Sequence, residues 1–541
     1  MSGRVLLVTG MVRSHVEPTR APRGNNLATI VPDRDSLSDL IFANRDYWTS
    51  GRAPSWMQDL RVSARQQLAV VARQHTRSYL SGQLLPFPDL SEEGPWIVGG
   101  HQPELFHPGV WFKNMLIDRL AKETCGFGIH SIIDHDLARA TALRVPAGDR
   151  ERSLAHASMI PLPLQRPASS DALLPWNAWG IDRSRIPSTI REIEQALRSV
   201  GISQPMVREY LEELGSLSPD INAAIGLSQV RHRMERRNGI GNWEFPMSAL
   251  CRSDAWLTFV QYCIAHANEL NSSYNACLDE YREREGVRNP TQPVPRLGQQ
   301  REWIELPFWI RLPGQYARRR MWVSHTSSQC RIAPEPSDDG PVLRWDGDVS
   351  QSRWLVWPRA LMTTLFLRVF IADLFVHGIG GGQYDRLTDA IIERFLRIQP
   401  PKFVTCTATL WLPFPGMDIA VERRLLDESK MLERERQGLR SAPQQALDPL
   451  NPHQRELAQE HQRLLAQIPP RGHKKTWHRE MKALKQKIVS AIEIPSRNWA
   501  ARKAEFDARA LEHRVLHSRE FSYVLFEERD ILDRLSKLAE S

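Results

Sequence analysis

Between Trp96 and Asp136 the chain reads WIVGGHQPELFHPGVWFKNMLIDRLAKETCGFGIHSIIDHD, and no other stretch constrains the fold as much. A short apolar run, Trp96-Ile97-Val98, ends in Gly99-Gly100, and a polar loop with two prolines follows from His101 to Gly109. The recurrence of Phe112, Met115, Leu116 and Leu120 predicts an amphipathic helix over 111–122. After Gly126 and Gly128 a second apolar run, Ile129 to Ile133, breaks into Asp134-His135-Asp136. Strand, glycine loop, helix and strand make one βαβ unit, with a crossover long enough for parallel strands. In such sheets ligands bind beyond the carboxyl ends of the strands. Both polar clusters, His101 to His107 and Asp134 to Asp136, fall at those ends.

The remainder is read around that unit. Residues 1–90 are expected to be an N-terminal arm and helices packing on the core, with Leu37, Leu40, Ile41, Leu60, Leu68 and Val71 in helical pattern. The first core half spans 91–164, with Leu143 to Pro146 as a further strand or edge. A mostly helical insert follows over 165–299, marked by Ile190, Ile193, Leu197 and by Trp256, Phe259, Val260, Ile264. The second core half covers 300–416. There Glu302 to Ile310 and Arg320 to Val323 read as strands, Leu361 to Val376 as an apolar helix, and His377 to Gly382 as a glycine loop. Tyr384 to Leu396 is then a helix, and the β-branched run Phe403 to Leu410 a strand. From 417 to 541 a helical arm is expected, cut by prolines. Its seam of Trp477, Met481, Leu484, Ile488 and Ala491 is coiled-coil-like and could mediate a homodimer. The expected class is therefore α/β, with a Rossmann-like parallel-sheet core, a helical insert and a C-terminal coiled-coil-like arm. One parallel sheet is expected to draw on residues near both 96–150 and 300–412.

Three clusters carry chemistry. Gly99 and Gly100 let backbone approach a ligand, and the helix after His101-Gln102-Pro103 offers N–H groups to an anion. Lys113 and Asn114, read as lying in its first turn, could hold phosphate or carboxylate oxygens. The bland alternative is a strand-to-helix turn whose polar groups satisfy backbone. At Asp134-His135-Asp136, strand alternation puts the carboxylates on one face and the imidazole on the other. Either the carboxylates act as base or bind an amine, or His135 is the reacting group, or Asp136 merely caps the next helix. In HGIGGGQYD, from His377 to Asp385, four glycines in six residues exceed what a helix cap needs. The spacing fits neither a dinucleotide fingerprint nor a P-loop, yet Gly378, Gly380 and Gly381 could still line a substrate with N–H groups. Tyr384 and Asp385 open the following helix and could reach the same cleft; close helix packing is the alternative. No ligand spacing points to a metal.

Composition narrows the classes. The chain has 541 residues, 41% hydrophobic and 25% charged, with no apolar run near the 18 or so residues of a membrane helix. The N-terminal apolar run, Val5 to Val8, is too short for a signal peptide, so a cytoplasmic protein is expected. Six scattered cysteines without a Cys-x-x-Cys argue against a zinc ribbon or disulfide framework. A net charge of +8 raises nucleic-acid binding, but basic and acidic residues are interspersed, as in ERERQGLR and HREMKALKQK. A local basic site for a small anion accounts for the balance equally well.

GGHQPELFHPGVWFKN, followed about twenty residues on by IIDHD, resembles the core of the cysteine-adding enzyme family of bacillithiol biosynthesis. Arg359 to Thr364 and the HGIGGGQYD block agree in order and character with that family's later segment, and Arg519 to Leu535 has its C-terminal flavour. His101 stands in place of a glutamine, Ile133 where an acidic residue is expected, and the insert is unlike the family's. The resemblance therefore implies a distant member with its own substrate, a ligase or transferase joining an amine-containing metabolite to an acid or sugar-linked acceptor. It is compatible with a nucleotide without requiring one, and it implies a small anionic or amine-containing substrate; with no metal-ligand spacing, no metal is expected. It also places His101, Asp134, His135, Asp136 and His377 in catalysis, and Gly100, Gln102, Lys113, Asn114, Arg359, Thr363, Gly378, Gly380, Gly381, Tyr384 and Asp385 in substrate binding. The competing expectation is a non-catalytic binding or scaffold protein whose basic arm contacts nucleic acid.

Overall fold

The computed structural model describes residues 19–540, apart from 82–89, 150–152, 168–172, 326–329, 338–339, 346–353, most of 415–441, 471–473, 493–511, and positions 92, 290 and 513. The run Val5 to Val8, the prolines Pro86, Pro88 and Pro495, and most of ERERQGLR lie outside the described residues. In chain order the main elements begin with β1 (Leu27–Val31), α1 (Leu37–Thr49) and α2 (Ser55–Arg77). The central unit follows as β2 (Trp96–His101), α3 (Pro108–Glu123) and β3 (Phe127–Ile132). A hairpin, β4 (Ala142–Asp149) and β5 (Ser153–Pro161), leads into α4 (Ile186–Ser199), α5 (Val207–Ser216) and α6 (Ala223–Arg237). Next come β6 (Trp243–Pro246), α7 (Asp254–Ala265), α8 (Ala267–Glu285), β7 (Trp303–Arg311), β8 (Arg318–His325), β9 (Cys330–Ala333), β10 (Leu343–Trp345) and β11 (Leu355–Pro358). The chain continues through α9 (Ala360–Phe366), β12 (Leu374–His377), α10 (Ile379–Ile391), β13 (Phe403–Thr409), α11 (Pro452–Ala466), α12 (Lys475–Ala491) and α13 (Glu528–Glu540).

The protein is mixed α/β. Its central sheet has the order β1-β13-β12-β2-β3-β6, parallel throughout except for the antiparallel edge strand β1. Trp96 pairs with Phe127 and His101 with Ile132, while Phe375 lies between Val98 and Phe403. The inner strands β3 and β12 are buried on both faces, as parallel strands covered by helices are. Trp96 and Val98 face one core with α2, α7 and α8; Ile97 faces the other with α3 to α6. Helix α3 is buried almost all round, with Trp111, Phe112, Leu116, Ile117 and Leu120 fully covered. The closing segment supplies part of that cover, since Phe521, Tyr523, Val524, Leu525, Ile531 and Leu535 belong to the same core.

Several expectations are corrected here. Only part of the block 300–412 lies in one sheet with 96–150: β12 and β13 join β2 and β3, and the strands before them do not. Strands β7 to β11 form a separate antiparallel sheet, β10-β9-β8-β7-β11, and among the described residues β4 pairs only with β5. Alternating strands separated by short turns pair as hairpins, without the crossovers that parallel strands need. Within the mostly helical stretch 165–299, β6 extends the central sheet beyond β3. The apolar run Leu361 to Val376 is not one helix: α9 gives way to a π-helical turn, Leu367–Ile371, and then to β12. Fully buried helices and fully buried strands share one composition, so periodicity alone does not separate them. The expected glycine loop is instead the first turn of α10, which starts at Ile379 with Gly378 as its N-cap. In the proline-cut C-terminal arm the seam residues Leu484 and Ile488 pack within a hairpin, α12 on Leu457 of α11, as short helices separated by prolines are expected to do. Among the described residues no helix is long and apolar enough to cross a membrane.

Candidate active site

Parallel strands β2, β3, β12 and β13 all end on one side of the sheet, and the chain leaves β2 and β3 as polar loop or turn and β12 as a helix start. The antiparallel sheet stands across from those ends. Between them lies a cleft of about 860 Å³. From β2 and its loop come Gly100, His101, Gln102, Glu104 and His107; from beyond β3, His135 and Asp136; from β12 and α10, His377, Gly378, Gly380 and Gly381. Lys113 reaches in from α3, and Arg359 and Thr363 from the start of α9. The structure therefore gathers most of the residues singled out in the sequence onto one surface.

Four do not reach it. Asp134 is not on the face of Asp136, because β3 ends at Ile132 and the alternation stops in a turn. Its carboxylate accepts from the Ser248 N–H at 2.9 Å, from the Ser248 hydroxyl and from Asn177, so it fixes the turn to the segment after β6. Since the turn breaks the pattern, His135 and Asp136 line the cleft together. Asn114 lies on the far side of α3, donating to Glu235 at 2.7 Å. Because α3 begins at Pro108, Lys113 and Asn114 sit in its second turn rather than its first. Lys113 still reaches the cleft, because its long stem folds back and Nζ donates to the Gly100 carbonyl at 2.8 Å. Tyr384 is half-exposed on α10 away from the cleft. Asp385 is buried behind it, accepting from His377 Nε2 at 2.7 Å and from Arg368 at 2.6 Å.

The opposite wall showed only Arg359 in sequence. It carries Trp309 from β7, with the guanidinium of Arg318 4.5 Å and that of Arg359 4.4 Å from its ring centroid. Arg320 joins them, and Arg139, Thr407 and Arg519 also line the cavity. Arg318 and Arg320 are two apart on β8, so they point to the same side. The readable signal was ARRRMWV, basic residues alternating into an apolar strand. Arg318 pairs with Asp136 at 2.8 Å and Arg359 with Glu305 at 2.7 Å. Six cationic side chains thus face two carboxylates, Glu104 and Asp136, around the cavity. A surplus of positive charge in a concave, partly dry site selects an anion.

Burial tunes these groups. It lowers Lys113 to about 8. Burial, aided by the Lys113 ammonium, lowers His101 to about 3, and burial with Arg519 does the same to His107. His107 is spoken for in any case, accepting from the Gly109 N–H as the cap of α3. His135 is lowered by burial against the opposing pull of Asp134 and Asp136, and its Nε2 is engaged by the Pro358 carbonyl at 3.2 Å. For Asp136, burial acts upward, but Arg318 and the Leu137 N–H more than offset it, and the carboxyl is held low.

Beneath the cleft lies a buried ion network. Arg231 donates to Glu235 at 2.7 Å and to Glu244 at 2.6 Å, and Trp111 and Asn114 also donate to Glu235. His232, Glu235 and Glu244 bring ligand-type atoms within 4.8 Å of one another. A metal is a poor fit there, because the Arg231 guanidinium already lies between the carboxylates. Both His232 nitrogens are also engaged, by the Tyr79 hydroxyl at 2.6 Å and the Asn242 carbonyl at 2.9 Å.

No family model matches the chain, and no curated protein matches it in sequence.

Proposed function

We propose that this protein is a cytoplasmic small-molecule ligase or transferase related to the cysteine-adding enzyme of bacillithiol synthesis. In this reading its central sheet is a Rossmann-like core, and its cleft joins an amine-containing metabolite to an acid or sugar-linked acceptor. One observation supports it above the others: residues distant in sequence, from His101 to Arg519, line a single cleft with surplus positive charge. The basic wall of Arg318, Arg320 and Arg359 suits the anionic part of the acceptor, a phosphate or carboxylate that forked guanidinium groups bind well. The opposite wall, with Asp136 and the imidazoles, suits the amine. The N-terminal N–H groups of α10, beside Gly378 and Gly380, add a second place for anionic oxygens, as a nucleotide would need. The hairpin α11–α12, with Leu465 and Val489 exposed, is proposed as a homodimer contact.

The test is metabolite profiling of a deletion strain, complemented with the wild-type chain or with Arg318→Met. The expected result is loss of an amine conjugate, with low-molecular-weight thiols the first class to inspect, and accumulation of its anionic precursor. Only the wild-type chain should restore it. Identical profiles in the deletion and complemented strains would remove the enzyme reading and leave a binding protein.

A further inference from the structure

Of the four imidazoles at the cleft, three are committed or weakened. His107 caps α3, His135 is tied through Nε2 to the Pro358 carbonyl with its Nδ1 fully buried, and His101 lies against the cationic Lys113 with Nδ1 3.0 Å from the Gln102 carbonyl. His377 differs. Its Nε2 meets the Asp385 carboxylate at 2.7 Å. Asp385 is fully buried and also takes a guanidinium hydrogen bond from Arg368, so it is ionised and can only accept. The Nε2 nitrogen therefore carries the proton, and Nδ1 keeps its lone pair. The ring cannot easily turn, because Phe375 and Phe403 pack on it with centroids 4.5 and 5.1 Å away.

The glycines of α10 explain where that lone pair points. A Cβ on Gly381 would lie 2.7 Å from Nδ1, inside van der Waals contact, so any side chain there would cover the nitrogen. A Cβ on Gly378 or Gly380 would meet open space on the cleft side. Gly382 has a separate reason, since a Cβ there would strike Thr405 Oγ1 on β13. The glycine run thus does two things: it seats the helix on the sheet and leaves one imidazole nitrogen uncovered.

We infer that His377 is the proton acceptor of the cleft, with Asp385 as the positioning residue that fixes its tautomer and Gly381 as the opening that exposes Nδ1. The inference rests on the cleft being the reaction site proposed above. In the step assigned to it, an N–H bond of the substrate ammonium breaks and its electron pair stays on the substrate nitrogen. The proton forms a new N–H bond at Nδ1, and the resulting imidazolium is held by Asp385.

The experiment is labelling of the full-length protein with diethyl pyrocarbonate at pH 8, followed by peptide mass spectrometry at His377. An uncovered, unprotonated nitrogen should react, and faster than the equally buried His135. In Asp385→Asn the amide is a neutral acceptor, or a donor if turned, so the His377 labelling rate should fall about fivefold. In Gly381→Ala the added methyl should slow it by about tenfold, because the clamped ring has nowhere to move. If Asp385 served only to anchor α10, loosening it would leave labelling unchanged or faster, and that outcome overturns the inference. Unchanged labelling in Gly381→Ala overturns it as well, and decides the matter alone if Asp385→Asn does not fold. Slowed labelling in both variants alongside unchanged metabolite profiles would keep the dyad and reject the reaction assigned to the cleft.

Discussion

Lys113 donates its Nζ to the carbonyl of Gly100 at 2.8 Å, which folds a buried ammonium from the second turn of α3 back over the end of β2. The contact explains how a residue on a helix buried almost all round still lines the cleft. It also explains the weakened ammonium, since one carbonyl replaces much less than the water lost on burial.

The first prediction follows from that charge. Its value in the folded protein, about 8, lies below that of a free lysine, so the ammonium is present below pH 8 and lost as pH rises through it. Affinity for inorganic pyrophosphate, measured calorimetrically, should therefore decline between pH 7 and 9. Lys113→Met should bind about tenfold more weakly at pH 7 and lose most of that decline. Equal binding by the variant at pH 7 would mean that the anion sits elsewhere in the cleft.

A second prediction concerns Glu244, which burial raises to about 8 against the pull of Arg231. Between the carboxyl's ordinary range and pH 8 the folded state holds a proton that the unfolded chain has released. Stability should then fall as pH rises through that window. Glu244→Gln, which cannot ionise, should flatten the fall and gain on the order of 1–2 kcal/mol over wild type at pH 8. Urea unfolding at pH 5.5 and pH 8 checks it, and parallel slopes for the two proteins would count against it.

The central βαβ unit was legible because its signals are local: glycines at a strand end, a helical period, and a second apolar run. The side of the sheet that holds the cleft followed from strand direction alone. What was not legible depends on long-range pairing. Nothing near Trp303 or Arg318 reveals that their strands pair with each other and not with β2, so Arg318 and Arg320 were invisible as partners of Arg359 in the wall facing His101. Asp134 and Asp136 were separated by a turn that begins one residue after Ile132, a boundary finer than composition resolves. The dyad partner Asp385 was noticed for its motif, but only helix geometry, eight residues on from His377, turns it back toward the imidazole. In the apolar run Leu361 to Val376 the sequence shows merely two charges, Arg368 and Asp373.

That last residue supports a third prediction. Asp373 is buried at the start of β12, pairing with Arg61 at 2.6 Å and Arg65 at 3.0 Å from α2, and accepting from the Trp96 N–H at 2.8 Å. One carboxylate thus ties α2 to two neighbouring strands. Asp373→Ala would leave two guanidinium groups buried beside a missing partner, at a cost of about 3–5 kcal/mol. The urea midpoint should drop accordingly. A loss under about 1 kcal/mol would show that water or carbonyls replace the carboxylate.

The final prediction separates two roles for Asp136. Its carboxylate joins the two walls of the cleft, pairing with Arg318 at 2.8 Å on the far side and accepting from Gln102 on the near side. An anion entering the cleft must share Arg318 with it. If Asp136 competes, Asp136→Asn frees the guanidinium and removes a negative charge, and pyrophosphate affinity should rise about fivefold. Arg318→Met should lower it about tenfold. The double variant should bind like Arg318→Met, because Asp136 acts on the anion mainly through Arg318, and non-additivity of this kind reports their coupling. The stability cost of Asp136→Asn should stay near 1 kcal/mol or below, as for a pair with one partly exposed member. A fall in affinity for Asp136→Asn comparable to that of Arg318→Met would mean that the carboxylate aims the guanidinium instead of competing for it. The amine would then need another partner, and the imidazoles at His135 and His377 would be the groups to test.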